Sequence, residues 1–189
     1  MHKLLSLAAA AAALLALPMA AQATVYQFNA SLAGSNETLP NAAIGTGVAT
    51  LSYNDFGTLT TTDDTYNFAL SAFDLTGAAT GYHIHAAAPA GANAGVVVNL
   101  ASASFLALNV GGSLLVGGNG VMAPNASFLS NLQAGLAYIN IHTAAFSGGE
   151  IRGQLIQVAV VPEPSTYAML GAGLLAIGAI ARRRAKKAA

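Results

Sequence analysis

Gly81-Tyr82-His83-Ile84-His85 and Tyr138-Ile139-Asn140-Ile141-His142-Thr143 are the two stretches that decide the fold. Both alternate, and successive side chains of a β-strand point to opposite faces. Tyr82 and Ile84 share one face, with His83 and His85 on the other. Ile139 and Ile141 share a face, with Tyr138, Asn140 and His142 opposite. A third stretch, Gly149-Glu150-Ile151-Arg152-Gly153-Gln154-Leu155, sets Ile151 and Leu155 against Glu150, Arg152 and Gln154. The aliphatic residues mark the core side in each, so three histidines and an arginine fall on the other side.

The same period of two extends outward. Residues 25–30, 48–53, 66–73, 82–85, 136–142 and 150–158 read as strands, and Val96-Val97-Val98 as a short one. Glycine and asparagine punctuate them throughout. Short strands at close spacing predict an all-β antiparallel sandwich. The one helix expected is short, from Ser127 to Gly135. The Gly/Asn-rich stretch around 109–125 reads as a connection.

The chain has 189 residues, 54% hydrophobic and only 7% charged. Its formal net charge is zero, but the bases sit mostly at the C-terminal end. Between Thr24 and Val161 there are six acids and one base, Arg152, a formal charge of −5. Nucleic-acid binding needs clustered Lys and Arg, so that class is excluded. The chain has no cysteine. Disulfides, thiolate metal sites and thiol nucleophiles are excluded with it.

Both ends read as addresses. Residues 1–23 have a positive start at Lys3, an apolar run from Leu4 to Leu17, Pro18, and a small-x-small site at Ala21-Gln22-Ala23. These are the parts of a signal peptide cut by signal peptidase after Ala23. At the other end, Pro162-Glu163-Pro164 breaks the chain, residues 167–181 form an apolar helix, and a basic end follows at 182–187. The apolar helix would reach about 22 Å, against a hydrocarbon core of about 30 Å. A membrane contact through this helix and an exported middle domain, 24–158, are expected, with residues 159–189 as the tail.

Two readings of the histidines stay open. His-x-His on a strand puts two imidazoles on one face, about 7 Å apart at the backbone. With His142 and the carboxylate of Glu150, His83 and His85 would suit Zn or Cu. In the other reading Asn140, Glu150, Arg152 and Gln154 join the histidines in a hydrogen-bonded network, with Glu150 and Arg152 placed to pair. Ile84-His85 and Ile141-His142 begin a local repeat that places the histidine strands side by side. No phosphate loop, dinucleotide motif or serine nucleophile elbow is present, and no catalytic residue is assigned.

The Tyr26–Ile156 segment resembles the CHRD domain, first described in chordin. The resemblance rests on His83-Ile84-His85, on the loop into Gly95-Val96-Val97-Val98, on Tyr138 to Thr143 and on Gly149 to Gln154. It departs in Ala86, where relatives often carry glycine, and in the 109–125 connection. The resemblance implies a β-sandwich in an extracellular setting and no agreed activity. Gly81 to His85 also looks like the copper-ligand strand of Cu/Zn superoxide dismutase. Three histidines in the mature chain are too few for that enzyme's two sites. The tail, with Val161-Pro162-Glu163-Pro164-Ser165, a short apolar helix and an arginine cluster, resembles the PEP-CTERM sorting signal. That resemblance implies cutting near Pro162-Glu163-Pro164 by an exosortase-type enzyme and transfer to the cell surface. The expected protein is an exported, non-catalytic surface or matrix module that meets envelope or matrix components. The alternative is a Zn- or Cu-binding module.

Protein recovered from the surface of its native host is expected to lack Arg182 to Lys187. Intact-mass spectrometry checks this. A mass that retains the basic end would leave a permanent anchor instead.

Overall fold

The computed structural model describes residues 24–58, 60–158, 170–178 and 180. The signal-peptide segment and Pro162-Glu163-Pro164 lie outside them. The chain divides into two units, 1–158 and 159–189.

The first unit is one curled antiparallel sheet. Its strands are β1 (Thr24–Ala33), β2 (Thr46–Asp55), β3 (Thr65–Phe73), β4 (Ala79–His85), β5 (Val96–Asn99), β6 (Leu106–Val110), β7 (Ser113–Met122), β8 (Tyr138–Thr143), β9 (Ile151–Gln154) and β10 (Ile156–Val158). They run in the order β5-β4-β8-β9-β1-β2-β3-β7-β6, and β10 pairs with β1. The all-β antiparallel architecture expected from the alternation is present. One sheet supplies all of it by curling around one core.

That core takes the apolar residues of most of the alternations, β6 excepted, whose Leu106, Leu108 and Val110 are exposed. Phe28, Leu32, Leu51, Tyr53, Leu70, Ile84, Leu114, Ile139, Ile141, Ile151 and Leu155 are all buried in a single cluster. The helix α1 (Phe128–Gln133) adds Phe128 and Leu132. The Phe128 ring lies 5.4 Å from Tyr66 and 6.2 Å from Tyr53. Tyr53 donates to Asp64 at 2.8 Å, which satisfies its hydroxyl in the core.

Two expectations need correction. The 109–125 stretch is a hairpin partner, not a connection. Gly111 and Gly112 adopt φ of 55° and 85° and turn β6 into β7. Glycine takes such angles without a steric cost, as two-residue hairpin turns require. β7 then pairs along β3, and its Gly118 leaves room for Phe105. The 150–158 run is also two strands, broken at Leu155, whose N–H goes to the Ala137 carbonyl at 2.9 Å.

In the second unit the described residues 170–178 and 180 are helical, with Leu170, Leu174, Leu175, Ile177 and Ile180 exposed. No helix among the described residues is long and apolar enough to cross a membrane. The rest of the expected 167–181 helix lies outside them.

β9 meets β1 through a close backbone approach at Gly153. A Cβ there would lie 2.5 Å from the Ser31 carbonyl oxygen and 3.0 Å from Leu32 Cγ. Gly153→Ala is therefore expected to destabilise by about 1–3 kcal/mol, the usual cost of overpacking. Gly77→Ala, with nothing within 4 Å, serves as the control. Urea unfolding of both checks this, and equal midpoints would contradict the packing argument.

Candidate metal centre and its polar surroundings

The outward face of β4, β8 and β9 carries the polar residues that strand parity assigns to it. Gly81 pairs with His142, His83 with Asn140, and His85 with Tyr138. Asn140 pairs in turn with Arg152, and Tyr138 with Gln154. Adjacent registered strands thus set the three histidines side by side. One donor nitrogen from each of His83, His85 and His142 lies within 4.8 Å of the others. The His83 ring centroid is 5.7 Å from that of His85 and 5.5 Å from that of His142.

Two of the rings are oriented from behind. His85 Nδ1 is 3.0 Å from the Ala94 carbonyl, and His142 Nδ1 is 3.0 Å from the Ser147 carbonyl. A carbonyl only accepts, so each Nδ1 carries the proton and each Nε2 keeps its lone pair. His85 Nε2 is buried without a partner. Burial holds the His83 pKa below the ordinary histidine value, helped by His142 and His85. Burial also lowers that of His85; the Ala94 carbonyl opposes it, and the charges of His142 and Arg152 add to it. Burial thus favours in His83 and His85 the neutral form that metals bind.

Gly81 gives the rings room. A Cβ there would lie 3.0 Å from His83 Cε1 and 3.5 Å from His142 Cδ2.

Loop 86–95 covers the rest of this face. Arg152 is 1% exposed; it lies 3.4 Å over the Tyr138 ring and donates to Asn93 Oδ1 at 3.0 Å and to the Ala92 carbonyl. Tyr138 stacks on His85 at 4.8 Å with the planes 3° apart. The Ala94 N–H donates to the Tyr138 hydroxyl at 3.0 Å. Gln154 donates to the Ala88 carbonyl at 2.9 Å and to the Gly135 carbonyl at 2.7 Å.

Glu150 joins neither the histidines nor Arg152. β9 begins at Ile151, so strand parity does not reach Glu150. Its carboxylate is fully buried and accepts from the Thr76 N–H at 2.8 Å and from the hydroxyls of Thr76 and Thr143. The acid whose charge acts with Arg152 is Glu37, which sequence reasoning passed over. Burial pushes its pKa up to about 6, against the opposing pulls of Arg152 and Asn140. Nothing in the sequence singles Glu37 out among the domain's six acids. Tyr138 was placed on the correct face, but nothing in the sequence marked it as the plate between His85 and Arg152.

The CHRD domain model matches residues 28–155. The PEP-CTERM protein-sorting motif matches residues 160–185, which marks an exported, surface-sorted protein with exosortase-type processing. Comparison with curated proteins and with solved structures finds no match. With its histidine strands and its Glu150–Gln154 segment inside the matched region, the chain belongs to the CHRD domain family.

Proposed function

We propose that this protein is a non-catalytic, surface-displayed module whose CHRD domain binds one transition-metal ion, Zn or Cu, through His83, His85 and His142. One observation carries the reading. Three imidazole donors lie within 4.8 Å of one another, two of the rings turn Nδ1 to backbone carbonyls, and the Nε2 of His85 is left unpaired. A ring that only served a network would have both nitrogens satisfied. His85 has one nitrogen in the network and the other buried and unpaired. Ligand histidines characteristically donate their second N–H to a carbonyl or carboxylate. Around a tetrahedral ion at about 2.0–2.1 Å, donor nitrogens stand about 3.3 Å apart, so modest side-chain rotation closes the site. With Glu150 turned away, the fourth position falls to water or an outside ligand. The network of Arg152, Tyr138 and Gln154 holds loop 86–95, and so serves the site as its frame. The signal peptide at 1–23 and the sorting tail would put this module at the cell surface, beside envelope or matrix components.

Purified full-length protein is expected to take up one Zn or Cu ion per chain, with a rise in melting temperature. His85→Ala and His142→Ala should each abolish uptake. Isothermal titration checks this, and wild-type protein that binds neither ion would contradict it.

The depressed histidine pKa values give a pH dependence with a definite sign. Below pH 6.5 the unfolded chain takes up the proton before the folded histidines do, so folded stability falls as pH drops. Glu37 works in the opposite sense, stabilising the fold as it protonates below about pH 6. Comparison with His85→Gln cancels the Glu37 contribution. Metal-free wild type is expected to lose stability relative to His85→Gln between pH 7 and pH 5. Urea midpoints across that range check it, and parallel curves would contradict it.

A further inference from the structure

One ring of the proposed site lacks the support the other two have. His85 and His142 each turn Nδ1 to a carbonyl. His83 Nδ1 is buried with no partner. Directly across the strand pair stands Asn140, its side chain on the same face. Asn140 is 5% exposed, and its Oδ1 is buried with no donor. Beside it Glu37 is 7% exposed, with Oε1 buried and unpaired. A Cβ at Gly149 would meet Glu37 Oε1 at 2.6 Å, Asn140 Oδ1 at 2.7 Å and Asn140 Nδ2 at 2.8 Å, so the carboxylate and the amide meet at one point. An imidazole nitrogen without a partner thus sits opposite an amide oxygen without a donor, in a structure where buried polar groups are normally paired.

We infer that Asn140, backed by Glu37, is the positioning pair for His83: Asn140 Oδ1 accepts the His83 Nδ1–H once the ion is bound, so that all three rings present Nε2. This rests on the metal-binding reading above and assigns the one outer-sphere partner that reading leaves open. The ring geometry fits it. A Cβ on Gly81 would lie 3.0 Å from His83 Cε1 and 3.7 Å from Nε2, and 3.5 Å from His142 Cδ2. The Cε1–Nε2 edge of His83 therefore faces the same side as the His142 edge that carries Nε2. Glu37 acts at one remove, by polarising the Asn140 amide and fixing its rotation. Outer-sphere partners of this kind change metal affinity by about 10- to 100-fold when removed.

The test uses full-length protein labelled with ¹⁵N-histidine, with zinc as the probe. Long-range proton–nitrogen correlation reads the tautomer of each ring, and titration reads affinity for wild type, Asn140→Leu and Glu37→Gln. With zinc bound, His83 is expected to carry its proton on Nδ1 and to ligate through Nε2. Asn140→Leu should weaken zinc about 10- to 100-fold, and Glu37→Gln by less, following the usual range for outer-sphere changes. Zinc bound through His83 Nδ1, or an Asn140→Leu variant that binds as tightly as wild type, would overturn the positioning role and leave the metal site standing. Wild type that binds no zinc would overturn both. If Asn140→Leu does not fold, the wild-type tautomer and Glu37→Gln decide: an Nδ1–H tautomer with weakened zinc supports the role, and either result missing overturns it.

Discussion

Arg152 is the only cation between Thr24 and Val161, and it is buried. A buried guanidinium must be paired or it is very costly. Its partners are the Tyr138 ring, the Asn93 amide, the Ala92 carbonyl and, through charge, Glu37. Two of these belong to loop 86–95. Satisfying one charge therefore requires the loop to lie over the sheet. Once it does, the Ala94 carbonyl meets His85 Nδ1, and Tyr138 is held flat against the His85 ring. The orientation of a proposed metal ligand follows from the desolvation of an arginine two strands away.

The same constraint explains why much of this sheet's outer face is buried. Outward faces of antiparallel sheets are commonly wet and weakly specified. Here backbone carbonyls of a covering loop take the donors of Gln154, Arg152 and His85 in turn. Glycine makes the approach close elsewhere on the face. Gly149, at φ 134°, sits where any side chain would strike Glu37 and Asn140. Burial then keeps His83 and His85 neutral. Packing, tautomer and protonation state are three results of one covered surface.

Much of this was legible in the sequence. Period-two alternation placed Ile84, Ile139, Ile141 and Ile151 in the core and the histidines, Asn140 and Arg152 opposite them, because strand parity is a local rule. Parity failed at Glu150, because the strand starts one residue later and the carboxylate instead bonds Thr143 and the distant Thr76. It also failed at 109–125, where glycine content read as a loop but Gly118 serves to admit the Phe105 ring. Loop carbonyls at Ala92, Ala94 and Ser147 left no trace at all, since every residue has one. Glu37 was missed because its role depends on a fold-level meeting with Arg152 and Asn140.

As a metal module, the covered polar face would present three imidazole nitrogens to one ion. X-ray absorption at the zinc edge of the loaded full-length protein tests it most directly. The account predicts three imidazole scatterers at about 2.0 Å, with the outer-shell pattern of histidine rings, and one further light atom. A first shell of oxygens alone, or a single imidazole, would contradict it.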